Sequence, residues 1–300
     1  MAVCPVCFLR PTHDGALGLA EHLVERAAAS DPGHIRWLNQ NVTPHKQAAP
    51  ELAQRLSGFY STAPGGLAHW IKSRFIARFY GPRPHPFVEA MQHPTRATLL
   101  GYVVEHQHFL RQWVRSCAFI MARTDEPEAV RYEIDNLNTE FAGFGTTSPA
   151  HYELLLEMGE SLGLPRTVVL ATPPRSRTRT GIDGWDQICR EQHWVAAMAA
   201  MHGLELIAHR GLVDEGATVH YFDPAILTSE EYPPPVRAFL REGYEADVGH
   251  ADQALSIVER FAATPELTAE VQSVFLRSID LFDDYLLARL ERAEEYEAPT

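Results

Sequence analysis

Between residues 95 and 122, apolar side chains at Leu99, Leu100, Val103, Val104, Phe109, Leu110, Trp113, Val114, Cys117, Ile120 and Met121 recur at steps of three and four. That is the period of a helix. The run is too apolar around its circumference for a surface helix, so it needs neighbours on several sides. The same period returns from Pro127 to about Glu140, ahead of Gly143 and Gly145, and from Ser148-Pro149 to Leu162, where Gly163 and Pro165 stop it. It returns again over residues 185–209, 236–261 and 267–296, the last with the stripe Val271, Val274, Phe275, Ile279, Phe282, Tyr285, Leu286 and Leu290. No alternating run is long enough for a sheet, and no repeat is visible. The chain is expected to be all-α.

Two regions are less regular. Residues 13–30, 50–60 and 67–80 read as further helices and form an N-terminal extension, 1–82, in front of a main domain over 83–300. Residues 172–184, TPPRSRTRTGIDG, carry Arg175, Arg177 and Arg179 and read as a solvated connector rather than a lid. With 26 Lys and Arg against 39 Asp and Glu the net charge is −13, which excludes a general phosphate-backbone binder. No nucleic-acid partner is expected. No apolar run reaches the roughly 20 residues of a membrane span, and the start, MAVCPVCFLRPTHDG, lacks the pattern of a signal peptide. The expected setting is cytoplasmic, with no membrane partner.

Fifteen histidines stand beside four cysteines, which favours imidazole and carboxylate chemistry over a disulfide framework. Cys4-x-x-Cys7 with His13 is half a zinc site. Without a second cysteine pair, a packed or mobile segment is the expectation there. In the long helix, Glu105 and His108 lie three apart on one helical face and can reach a single metal ion. A second carboxylate-x-x-His pair stands at Asp247 and His250, and Glu140 ends the helix between the two. One such pair alone is commonplace and usually solvated. Several carboxylates in apolar helices, however, need a compensating cation or hydrogen bonds.

Here the sequence resembles a family. His85-Pro86-Phe87, LLGYVVEHQHFLRQWVRSCAFIMA, NLNTEFAGFG, HYELLLEMGESLGLP and FLREGYEADVGHADQAL, in that order, are similar to the heme-oxygenase-like fold. Within it, the nearest types are pyrroloquinoline-quinone synthase C and the heme-oxygenase-like dimetal oxidases. The resemblance covers about residues 83–292 and implies a bundle of about seven helices around a pocket, here with extra N-terminal helices.

The dimetal branch implies metal ligands at Glu105, His108, Glu140, Asp247 and His250. Where its late helix carries a first histidine, this chain has Gly243, to be replaced by water, substrate, His202 or Glu205, or else leaving a single metal or a lost site. The implied cofactor is ferrous iron in a dinuclear site, with O2 as co-substrate, acting on a small, amino-acid-derived metabolite. Arg111 and Arg115 are candidates to clamp a substrate carboxylate or to bridge to a neighbouring helix, and His106 to support a ligand. Two alternatives stand beside this: a cofactorless oxidase like the quinone synthase, and a non-catalytic binding protein. A thiamin-type hydrolase of this fold would need a nucleophilic cysteine in the pocket, and neither Cys117 nor Cys189 has a motif that recommends it. The apolar C-terminal stripe would suit a homodimer.

Overall fold

The computed structural model describes residues 3–11, 15–142 and 149–297, and within them every side chain but those of residues 142 and 246–248. Among these residues there are α-helices, short 3-10 turns and one π turn, and no strand. In chain order the helices are α1 (Gly15–Ala28), α2 (Pro32–Asn41), α3 (Ala49–Phe59), α4 (Gly66–Phe79), α5 (Pro86–Ala90), α6 (Arg96–Ala122), α7 (Pro127–Leu137), α8 (His151–Ser161), α9 (Arg166–Ala171), α10 (Ser176–Glu191), α11 (Trp194–His202), α12 (Pro234–Phe261) and α13 (Pro265–Ala293). The π turn, Asn138–Ala142, extends α7. No described helix is long and apolar enough to cross a membrane.

Local chemistry sets the helix starts. The side chains of Asp31, Thr95 and Thr264 accept hydrogen bonds from the first-turn amides of α2, α6 and α13. Proline occupies the first turn of α2, α5, α7, α12 and α13, where its missing N–H costs nothing.

The core is built on α6 and α13, which run closely together. At Gly101 a Cβ would lie 2.2 Å from the Arg289 carbonyl oxygen and 2.8 Å from the Ala293 nitrogen. Only a glycine lets the two backbones come so near. Helices α10 and α11 pack on the flank of α13, while α8, α11 and α4 pack on α12. The first three helices pack on one another and are fastened to α13. Ser273 Oγ donates to Val3 O and Gln272 Nε2 to Tyr60 O, each at 2.8 Å, and Arg36 forks onto Asp284 at 3.0 and 3.1 Å.

Residues 172–184 depart from expectation, because from Ser176 they belong to α10. Gly181 and Gly184 act as contact points rather than breakers: a Cβ would meet the Trp185 ring at 3.0 Å from the first and Leu281 at 2.6 Å from the second. Arg175 and Arg177 face acidic partners, Glu295 for the former and Asp284 and Glu291 for the latter. What reads as a solvated basic patch is the charged edge of a helix seated on α13.

Candidate functional site

A cavity with about 660 Å³ of empty space, its mouth included, lies between α6, α12 and α13. Most of its wall is apolar: Phe109, Leu110 and Trp113 from α6, Phe239 and Leu240 from α12, and Phe282 from α13. The face α6 turns inward is Tyr102, His106, Phe109, Leu110 and Trp113, at steps of four, three, one and three. Gly243 also lines it, buried and without a side chain.

One pole of the cavity is cationic. Arg289 is 2% exposed. It donates from Nη1 to Tyr221 Oη and from Nη2 to Tyr285 Oη, both at 2.7 Å, and its Nη2 lies 3.0 Å from His106 Nδ1. The Tyr285 hydroxyl lies 2.8 Å from the same nitrogen. Arginine can only donate, so Nδ1 is an acceptor and the His106 proton sits on Nε2. Burial, with Arg289 and His151 adding to it, pushes this imidazole well below its ordinary value. His106 is therefore neutral.

The other pole holds carboxylates and imidazoles. Glu140, in the π turn, and His151, at the start of α8, meet at 2.9 Å between Oε2 and Nδ1. Burial pushes the Glu140 carboxyl up, but His151, with His250 and His202 farther off, outweighs it and holds the carboxyl below its usual value. Deeper in, His202 is fully buried between two glutamates, Nε2 2.9 Å from Glu133 Oε1 and Nδ1 3.2 Å from Glu205 Oε1. Burial alone would lower this histidine, and the two carboxylates raise it to about 10. Asn136 Nδ2 donates to Glu205 at 2.9 Å, Trp113 Nε1 donates to Asn136 Oδ1 at 2.6 Å, and the Tyr132 hydroxyl lies 3.4 Å from Glu205 Oε2. Two atoms in this region are buried and unpartnered, Glu133 Oε2 and His250 Nδ1.

Residues 70–293 match the family model described as TENA/THI-4/PQQC. The chain belongs to the TENA/THI-4/PQQC family. The match begins inside α4 rather than at residue 83. Similar solved structures include a domain of unknown function with a heme oxygenase-like fold from Shewanella denitrificans OS217, 17% identical over 85% of this chain and 97% of that one, with a TM-score of 0.57. A TenA homologue from P. horikoshii OT3 is 12% identical over 75% and 95%, TM-score 0.57. A putative TenA-like thiaminase from Sulfolobus solfataricus P2 is 10% identical over 75% and 92%, TM-score 0.50. At these identities the likeness is one of fold, heme-oxygenase-like and all-α. No curated protein sequence matches significantly. Residues 1–61 match a second family model, described as a C2H2 type zinc-finger.

Within this TENA/THI-4/PQQC fold the sequence-derived ligands divide. Glu140 lines the cavity, and α12 carries His250, half-buried, its carbonyl oxygen accepting from the Tyr132 hydroxyl at 3.1 Å. The Asp247 side chain lies outside the described residues. Glu105 and His108 share a face of α6, as their spacing requires, but it is not the face that lines the cavity. Glu105 Oε1 accepts from Arg292 Nε at 2.7 Å and Oε2 from the Arg175 amide at 3.1 Å. The cation that compensates this carboxylate is an arginine. His108 Nε2 sits 3.0 Å from Thr172 O, and burial drives its value down to about 4. Arg111 and Arg115 are both exposed, and Arg115 pairs with Asp186 at 3.4 Å, the inter-helix bridge rather than a substrate clamp.

The site residues missed from sequence are Glu133, His151 and Arg289. Glu133 and Glu140, seven apart and so two turns along one face, were the available signal, as was His202-x-x-Glu205.

At the other end of the fold, Cys4, Cys7, His22 and His34 bring one ligand atom each to within 4.8 Å of one another. Cys4 Sγ is 3.5 Å from His34 Nε2, Cys7 Sγ is 3.4 Å from His22 Nε2, and Asp31 Oδ1 is 2.9 Å from the far nitrogen of His34. The segment is packed, as expected, with Cys4 fully buried, and the packing brings two histidines from α1 and α2 to the cysteine pair. His13 lies outside the described residues.

Proposed function

We propose that the cavity is the active site of a non-heme iron oxidase or oxygenase that uses O2 on a small metabolite. The reading rests on one observation: at the pole of the cavity away from Arg289, Glu140, His151 and Glu205 line the wall, and Glu133, His202 and His250 stand behind them, drawn from α7, the π turn, α8, the end of α11, the 3-10 turn after it and α12. Asp247, one turn before His250, is proposed with them. The donor set suits iron or manganese, and the buried, unpartnered Glu133 Oε2 and His250 Nδ1 are atoms a cation would satisfy. When bound, iron supplies the redox chemistry with O2.

The chain does the rest. Asn136 and Tyr132 hold Glu205 in orientation, and Trp113 holds Asn136. The aromatic wall excludes water, and the neutral His106 offers an Nε2–H donor beside Arg289.

A second reading is favoured by the same contacts. His202 between its glutamates and His151 against Glu140 satisfy one another by hydrogen bonds alone, as in a cofactor-free oxidase. A cysteine-dependent thiaminase is disfavoured, because no cysteine lines the cavity among the described residues. Burial pushes the Cys117 thiol up and the Cys189 thiol to about 12.

Anaerobic ferrous titration of the full chain distinguishes these readings. Iron binding that is lost in Glu133→Ala and His202→Ala, with O2 consumption abolished by chelation, supports the iron enzyme. O2 consumption indifferent to chelators overturns it in favour of the cofactor-free reading.

We infer separately that Cys4, Cys7, His22 and His34 hold a structural zinc ion. Thiolate and imidazole are its preferred donors, and a carboxylate behind a ligating histidine, as Asp31 stands behind His34, is the usual orienting partner.

A further inference from the structure

Arg289 is a buried cation without a counter-ion among the described residues. No carboxylate oxygen among the described residues lies within 4.0 Å of it, whereas Arg292, one turn further along α13, has both Glu105 and Glu295. Its neighbours are instead two phenols, a neutral imidazole and three aromatic faces, with Tyr102 at 4.0 Å, Tyr285 at 4.5 Å and Phe87 at 5.0 Å from Cζ. These soften the loss of water but do not neutralise a full charge. Guanidinium offers five N–H groups. Three are engaged by Tyr221, Tyr285 and His106, and the Nε–H is buried and unpartnered. The group lines the cavity wall.

We propose that Arg289 is the anchor for the carboxylate of the substrate, and that the cavity takes a small monocarboxylate with an apolar or aromatic body. The carboxylate supplies the missing counter-charge and accepts from a remaining N–H of the guanidinium. The body of the molecule lies against Phe109, Phe239 and Phe282, and its far end reaches toward Glu140 and His151. Tyr221, Tyr285 and His106 are positioning residues that fix the fork. This deepens the oxidase reading and rests on the cavity being its active site, but anchoring itself needs no metal.

The test is calorimetric titration of the full chain, metal-free and iron-loaded, with two matched pairs: benzoate against benzamide, and hexanoate against hexanamide. The expected result in both metal states is that each acid binds more than about tenfold tighter than its amide. Arg289→Met should erase that preference while leaving amide binding unchanged. Because removing a packed arginine can impair folding, Arg289→Lys is the companion variant. It retains charge without the fork, and the preference should fall about fivefold or more. Equal binding of acid and amide by the wild-type chain overturns the anchor, as does an unaltered preference in Arg289→Lys. Acid-selective binding that persists in a chain unable to hold iron supports the anchor even where the oxidase reading fails.

Discussion

Arg292 Nε lies 2.7 Å from Glu105 Oε1, joining α13 to α6 by an ion pair whose carboxylate is fully buried. Removing the arginine strands a charge that is left with only the Arg175 amide. Arg292→Met is expected to lower stability by about 3–5 kcal/mol, measured by urea unfolding. Adding Glu105→Gln should recover most of that loss, since the pair is then replaced by neutral groups. Iron content should be unchanged in both variants, and its loss would return Glu105 to the ligand set.

Gly101 faces backbone atoms of α13, and backbone cannot swing aside as a side-chain tip can. Gly101→Ala is expected to push α13 away from α6 at a cost of about 1–3 kcal/mol or more. Because Arg289 is on the displaced turn, acid-over-amide selectivity should fall along with the melting temperature. A variant that melts later than the parent with selectivity intact would show that the helices are not in contact there.

His108 remains neutral in the fold down to about pH 4, because burial disfavours its charge. An unfolded histidine takes up its proton near pH 6.5. Between those values the unfolded chain binds the extra proton, so this contribution to stability is complete above about pH 6.5 and is lost as pH falls toward 4. In His108→Gln the drop in melting temperature between pH 7 and pH 5 should be smaller than in the parent. An equal drop would place the acid sensitivity elsewhere.

The cysteine and histidine tetrad should bind one zinc ion per chain. Cys4→Ser or His34→Ala should remove it and lower the melting temperature, because the ion ties the opening turn to α1 and α2. Metal analysis should show iron retained in both variants. Full zinc content in Cys4→Ser would exclude the tetrad as the site.

How much of this was legible in the sequence depended on whether a signal was local. The helix starts at Thr95, whose side chain caps an adjacent amide, and at Pro127, which needs no partner for its nitrogen, could be read directly. The Glu105 and His108 spacing placed both on one face of α6, but no spacing says whether a face turns toward a cavity or toward an arginine 187 residues away. Glu133 carried the needed signal seven residues before Glu140, in a helix whose polar appearance concealed that it was buried. Residues 172–184 read as a connector because the close approach of Gly184 to Leu281 is not written locally. Cys4 and Cys7 lacked a visible second half for the same reason, since His34 is 30 residues on and reaches them only through the packing of α1 and α2.

The fastening of the first helices to α13 sets an order of events during synthesis. Val3 and Ser273 are separated by 270 residues and Arg10 and Glu270 by 260, so the seat for the opening segment is among the last parts of the bundle to be made. At about 5–20 residues per second, the ribosome takes between about 15 and about 50 seconds to supply it. Throughout that interval, α1–α3 have one another and α4 to pack on, and the apolar surface meant for α13 stays uncovered. The growing chain is thus most exposed to aggregation and to chaperones before its final helix emerges.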